Sequence, residues 1–278
     1  GVVWGPGEGQ YDHSKVRNAI SVIDVPPMSY KMRRFLEAVS DYTITPINLI
    51  LRLCTRVPDL SKPSVTQKVF SLVSNYSDFK KTPQRDLLIS ALTKTNKNKL
   101  TTKEIVSISG VSSAVIAAAA RIGILNEEII PRDRPYPVLN PNFKSKKLSP
   151  SQINACTAIM DLQKKNSFSS ILLQGVTGSG KTEVYLEAVA NALKNGEQVL
   201  VLLPEIALTS EFFNRVKNRF GANPAEWHSG ATLAERRRIW KMVASGGAKL
   251  VIGARSALFL PFMNLGLVIV DEEHDHSY

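Results

Sequence analysis

The sequence predicts an α/β protein of 278 residues, in which two small modules precede a three-layer lobe with a parallel sheet over residues 148–278. Three observations carry the prediction. Residues 151–278 alternate short, continuously apolar stretches with helical ones, the pattern of parallel strands covered on both faces. Residues 82–130 hold helix-start signals at close intervals, as a compact helical unit does. Charge divides the chain: residues 1–150 contain 22 Lys and Arg against 12 Asp and Glu, and residues 151–278 contain 13 against 12. The first half therefore carries nearly all of the formal net charge of +11, which points to an anionic partner such as nucleic acid.

The elements follow in order. Residues 1–54 open with a short strand and a Gly-rich turn (Gly5, Gly7, Gly9), and this opening resembles neither a signal nor a transit peptide. Val16 to Ile23 alternates with β-branched residues and predicts a strand, stopped by Pro26-Pro27. Met32, Phe35, Leu36 and Val39 recur at helical spacing, and Pro46 opens a second short helix through Leu53. Pro58 and Pro63 mark a linker over 55–81. Thr82-Pro83 is an N-cap with proline at the first helical position, and Thr101 to Glu104 spells a capping box. Gly110 supplies a turn, and Ser112 caps a third, Ala-rich helix to Ile122. Two short helices joined at a Gly-containing turn, followed by Ile124-Leu125, predict a helix-turn-helix with a small wing in 82–130; a three-helix spacer is the alternative. Residues 131–147, rich in proline and lysine, read as an extended basic tether. In the lobe, strands are predicted at Ile171–Leu173, Val199–Leu203, Leu250–Ile252 and Leu267–Val270, with helices near 182–193, 208–220 and 233–243. Ligands of such sheets bind at the carboxyl ends of the strands.

One motif fits that position. Gly175-Val176-Thr177-Gly178-Ser179-Gly180-Lys181-Thr182 matches G-x-x-x-x-G-K-[ST], after an apolar stretch and at the start of a helix. Glycine allows the loop to wrap a phosphate closely, and backbone N–H groups at the helix N-terminus supply positive potential. Lys181 is expected on the β/γ-phosphates and the Thr182 hydroxyl on Mg²⁺. An apolar stretch then delivers Asp271 at its carboxyl end, placed to hold Mg²⁺, with Glu272 next to it to orient or deprotonate an attacking water. His274 and His276 follow, but four histidines in the chain give weak support for a metal site. Cys54 and Cys156 lie far apart without companion ligands, so neither a disulfide framework nor a zinc site is expected within the chain. No apolar run reaches the length of a transmembrane helix, and a reducing cytoplasm is the expected compartment.

Gly175–Thr182 together with Asp271-Glu272-Glu273-His274 resembles a superfamily 2 helicase of DEAD/DEAH type. Leu203 to Thr209, Trp227 to Gly230, Ile252 to Phe259 and Asp271 to Tyr278 resemble, more narrowly, the bacterial replication-restart helicases of the primosome. The resemblance covers nearly all of 148–278 and implies a RecA-like P-loop helicase lobe, ATP and Mg²⁺ as cofactors, and a nucleoid-associated cytoplasmic protein. Leu148 to Gln152 is similar to the family's adenine-reading element, which implies that Gln152 contacts the base. Thr209, Arg255 and Ser256 fall in motifs that touch the nucleic-acid strand in such helicases, although Gly253-Ala254-Arg255-Ser256 has Ala where the family usually has Thr. In weaker form, 1–54 resembles part of a small α+β domain that binds the 3′ end of the nascent leading strand, and 82–130 resembles its winged-helix neighbour. Arg17 stands near the basic residue of that 3′-end pocket, where Lys is usual.

What the resemblance implies is an ATP-driven 3′→5′ DNA helicase that recognises stalled or abandoned forks and starts primosome assembly. Forked and single-stranded DNA, other primosome proteins and single-stranded DNA-binding protein are the implied partners, with no membrane. The family's second motor lobe, arginine finger and zinc-binding cysteines fall outside this sequence. Since an arginine finger contributes about 10³–10⁵ in rate, this chain is expected to bind ATP and hydrolyse it slowly. Two alternatives stand: another superfamily 2 motor, for branch migration or RNA, or a non-catalytic fork adaptor in which ATP orders the chain. A transporter ATPase, GTPase or small kinase fits less well, because their LSGGQ-like and NKxD-like signatures are absent.

Overall fold

The computed structural model describes residues 2–5, 12–15, 17–19, 22–23, 25–55, 57, 60, 66–76, 80–95, 98–131, 135–165 and 167–275. The first folded part is a helix pair, α1 (Tyr30–Tyr42) and α2 (Ile47–Thr55). Ser29 caps α1 by accepting the Met32 N–H, 3.3 Å. Met32 and Leu36 of α1 close on Ile50 and Cys54 of α2, as the periodicity predicts. The strand expected over Val16–Ile23 is not formed: Arg17 to Ala19, Val22 and Ile23 belong to no strand, and Val16, Ile20 and Ser21 lie outside the described residues. Val2 and Val3 likewise belong to no strand, while Gly7 and Gly9 lie outside the described residues. Alternation specifies a face, but a ladder also needs a neighbouring strand, which local sequence does not supply.

The second part begins earlier than expected. β1 (Thr66–Leu72) falls inside the stretch read as a linker, while Pro58 and Pro63 lie outside the described residues. It is followed by α3 (Pro83–Thr93), β2 (Leu100–Thr101), α4 (Thr102–Ser109), α5 (Ser113–Arg121) and β3 (Leu125–Pro131). β1 pairs antiparallel with β3 from Thr66↔Pro131 to Leu72↔Leu125, and with β2 on its other side, giving the order β2-β1-β3. Both halves of the Thr101–Glu104 capping box form, and Gly110 ends α4 in the left-handed region at φ 72°. Ser112 precedes α5 but makes no side-chain cap. Phe70, Leu88, Ile105, Ile116 and Ile124 fill the core between the three helices and the sheet.

The lobe contains α6 (Pro150–Lys164), α7 (Lys181–Lys194), β4 (Gln198–Leu202), α8 (Ser210–Phe220), β5 (Ala225–Trp227), α9 (Leu233–Ala244), β6 (Leu250–Gly253) and β7 (Leu265–Val270). Its sheet is parallel throughout, in the order β5-β6-β4-β7. Leu200, Leu202 and Val251 face Ile239, Trp240 and Val243 of α9; Val199, Val201 and Ile252 face α7 and α8. A parallel sheet between two helical layers fits a RecA-like lobe. Gln198, fully buried at the start of β4, donates to Val243 O and Ala248 O and accepts from the Met263 and Asn264 N–H groups, so no polar atom of its amide is wasted.

Within the lobe two elements, α6 and β5, were not expected, and one expected strand is missing. Ile171–Leu173 pairs with nothing, leaving Leu172 71% exposed. Leu173 instead anchors the segment by packing with Cys156, Ile159, Val184 and Leu267. An apolar triplet is therefore held here by side-chain burial rather than by a ladder. β7, at the sheet edge, is covered on one face only. The helix pair docks on the lobe: the Trp240 indole N–H donates to Cys54 O at 2.6 Å, and the Phe35 and Phe259 rings meet at 5.8 Å. Among the described residues no single helix is long and apolar enough to cross a membrane.

Candidate active site

The loop 175–180 is built from its glycines. Gly178 and Gly180 stand at φ 78° and 82°, a region that L side chains enter at a cost of about 1–2 kcal/mol. A Cβ on Gly175 would lie 2.7 Å from Ser179 Oγ, so the Ser179 hydroxyl would have to turn away to admit one. Gly180 is the N-cap of α7, and its carbonyl accepts the Glu183 and Val184 N–H groups. Lys181 folds back, its Nζ donating to Gly175 O at 2.8 Å, which keeps the ammonium over the loop. Gln152, in the first turn of α6, uses both ends of its amide: Oε1 accepts the Ser149 N–H at 2.8 Å, and Nε2 donates to Ser179 O at 2.9 Å. The residue expected to read the base is thus also a strut between α6 and the loop.

Opposite the loop, the Asp271 N–H donates to Leu202 O at 3.0 Å, so the end of β7 is registered against β4. The Asp271 carboxylate accepts from the Glu272 N–H at Oδ1, 3.1 Å, and from the Tyr185 hydroxyl at Oδ2, 2.8 Å. Thr182 lies beside that same hydroxyl. Burial above all, with the negative charge of Asp271, raises the Tyr185 phenol well above its ordinary range, so it stays a donor. Glu272 adopts a left-handed φ of 53°, an unfavourable conformation for a non-glycine residue, and is exposed with His274 Nε2 3.5 Å from its carboxylate. His276 lies outside the described residues.

A charge cluster around the buried Glu183 ties down the far side of α7. Glu183 Oε1 accepts from Lys146 Nζ at 2.7 Å and from Arg215 Nε of α8 at 2.8 Å. Burial opposes ionisation of Glu183, but these two cations outweigh it and hold its carboxyl below the usual range.

The loops at the carboxyl ends of β4 and β6 carry the residues expected on the nucleic-acid strand. Thr209 caps α8, its Oγ1 accepting the Phe212 N–H at 3.3 Å, and is exposed. Arg255 and Ser256 are exposed at the start of the 3₁₀ turn Arg255–Phe259, and Ser256 Oγ accepts the Trp227 indole N–H at 3.1 Å. Arg17 is exposed ahead of α1, in a separate part of the chain. Sequence reasoning missed Tyr185 and the Glu183 cluster. Spacing was the available signal for Tyr185, which follows Thr182 by three residues and so shares its helix face.

The donor set suits a phosphate chain and a hard cation: a glycine loop at a helix N-terminus, one ammonium, one hydroxyl and one carboxylate. Among the described residues no group of three or more His, Cys, Asp and Glu is placed to hold a metal by itself, and both cysteines are free and buried.

Residues 149–278 match the DEAD/DEAH box helicase family, and over this stretch the chain is a DEAD/DEAH box helicase domain. Helicases of that family use a nucleotide and Mg²⁺. Several curated proteins to which the chain is similar are named Replication restart protein PriA. The protein of that name from Rickettsia conorii is 44% identical over 166 residues, 57% of this chain and 25% of its own length. That from Bacillus subtilis is 40% identical over 185 residues (65% and 23%), and that from Chlamydia muridarum 37% over 202 (70% and 26%). The chain thus spans about a quarter of the length of the curated relatives it matches.

Proposed function

We propose that the chain forms part of an ATP-driven 3′→5′ DNA helicase that recognises stalled or abandoned replication forks and starts primosome assembly. The observation that carries this reading is the meeting of the Gly175–Thr182 loop with Asp271 at one end of a parallel sheet, through Tyr185, in a chain whose relatives are named for replication restart. In this reading Lys181 and the loop amides bind the β- and γ-phosphates, Thr182 and Asp271 hold Mg²⁺, and Gln152 contacts the adenine. Bound Mg²⁺ supplies charge neutralisation on the transferring phosphate. Glu272 accepts a proton from the attacking water, which its position beside Asp271 favours. Thr209, Arg255 and Ser256 contact single-stranded DNA. Arg17 belongs to the pocket for a 3′ end, and the 66–131 unit is a winged helix on the duplex arm. The cytoplasm, at the nucleoid, is the compartment, and other primosome proteins and single-stranded DNA-binding protein are the partners.

Fluorescence anisotropy with forked, duplex and single-stranded DNA across a salt series tests the proposal. Tighter binding to the fork that persists as salt rises is the expected outcome. Equal binding to all three, falling steeply with salt, would mark a generic polyanion grip and remove fork recognition.

A further inference from the structure

We propose that Tyr185 is a positioning residue for the metal, holding the Thr182 and Asp271 oxygens in one register before the nucleotide arrives. This rests on the reading of the loop as a Mg·nucleotide site. The two ligands come from different elements, the first turn of α7 and the end of β7. Tyr185 stands between them. Its ring is buried with Leu186, Val189 and Val201 in the core between α7 and the sheet, so the hydroxyl emerges from a fixed base rather than from a mobile side chain. That hydroxyl donates to Asp271 Oδ2 at 2.8 Å, and Thr182, three residues back on the same face of α7, lies beside it. The remaining carboxylate oxygen accepts the Glu272 N–H, so the plane of the carboxylate is set from both sides. A partner that orients a metal ligand typically contributes 10–100-fold to metal affinity, and Tyr185 does so from the helix that also bears the second ligand.

Tyr185→Phe removes one oxygen and keeps the ring. The test measures binding of a fluorescent ADP analogue to the whole chain, in EDTA and across a Mg²⁺ titration, with thermal melting alongside. In the variant the Mg²⁺ concentration for half-maximal tightening is expected to rise about tenfold, while affinity in EDTA stays within about twofold. Mn²⁺ binding to the chain with nucleotide, followed by electron paramagnetic resonance, should weaken in parallel. An unchanged Mg²⁺ midpoint overturns the proposal. So does equal weakening with and without Mg²⁺, which would mean that the hydroxyl only supports the loop. A wild-type chain whose nucleotide affinity ignores Mg²⁺ would instead remove the reading of the site itself.

Discussion

Single residues in the loop are constrained by backbone geometry as much as by chemistry. At Gly180 both act: φ is 82°, and a Cβ would meet Gln152 Nε2 at 2.3 Å. Gly180→Ala is expected to cost about 1–2 kcal/mol in stability from the backbone alone, and to push Gln152 off Ser179. Urea denaturation and nucleotide titration check it; unchanged values in both would mean that neither the conformation nor the strut matters. The loop itself was legible because its requirements are local: a glycine pattern, a lysine, a hydroxyl, a helix start. Asp271 was legible for the same reason, at the end of an apolar run. Tyr185 was not, because an aromatic residue on a buried helix reads as core until its hydroxyl is seen to reach a carboxylate 86 residues away. Gln152 was legible as a base reader, but its bond to Ser179 depends on how α6 lies against the loop.

At the level of elements, the cluster around Glu183 ties α7 to α8 and to the chain ahead of α6. Its folded-state carboxyl ionises below the ordinary glutamate value, so the stability it contributes is fully present above that value, about 4.3. It is lost as pH falls through and below it. The wild-type chain is therefore expected to lose stability between about pH 5 and 3 more steeply than Glu183→Gln, whose stability at neutral pH is lower. Thermal melting across that range checks the sign; parallel curves would dismiss the cluster. Helices were legible here through caps, as at Thr82 and Thr101, where one side chain and the next turn carry the signal. Strands were legible only where a neighbour existed. β4 and β6 formed as expected, Ile171–Leu173 did not, and β1 went unread because its partner β3 lies far along the chain.

Across the whole molecule, the helix pair and the lobe meet through apolar side chains and the Trp240–Cys54 hydrogen bond. Trp240→Phe shrinks the indole to a phenyl ring and leaves the buried Cys54 carbonyl without its donor, a loss of about 1–3 kcal/mol from the unmet carbonyl, to which the lost packing adds. Hydrogen exchange in α1 and α2 should quicken while β4 and α7 stay protected. Uniform quickening would instead show that the pair and the lobe open together. Net charge was legible at this scale from composition alone; docking was not, since Phe35, Phe259 and Trp240 each read as ordinary core residues of their own elements.

That docking also sets an order of events during synthesis. Trp240 follows Cys54 by 186 residues, so at about 5–20 residues per second the helix pair leaves the ribosome roughly 9–37 s before the surface that covers it. In that interval Phe35 lacks Phe259, and Val25 and Val57 lack the α9 side of the sheet, whereas the 66–131 unit, whose sheet and helices bury one another, can close as soon as β3 emerges. The nascent chain therefore carries an uncovered apolar flank ahead of a finished unit until α9 is made.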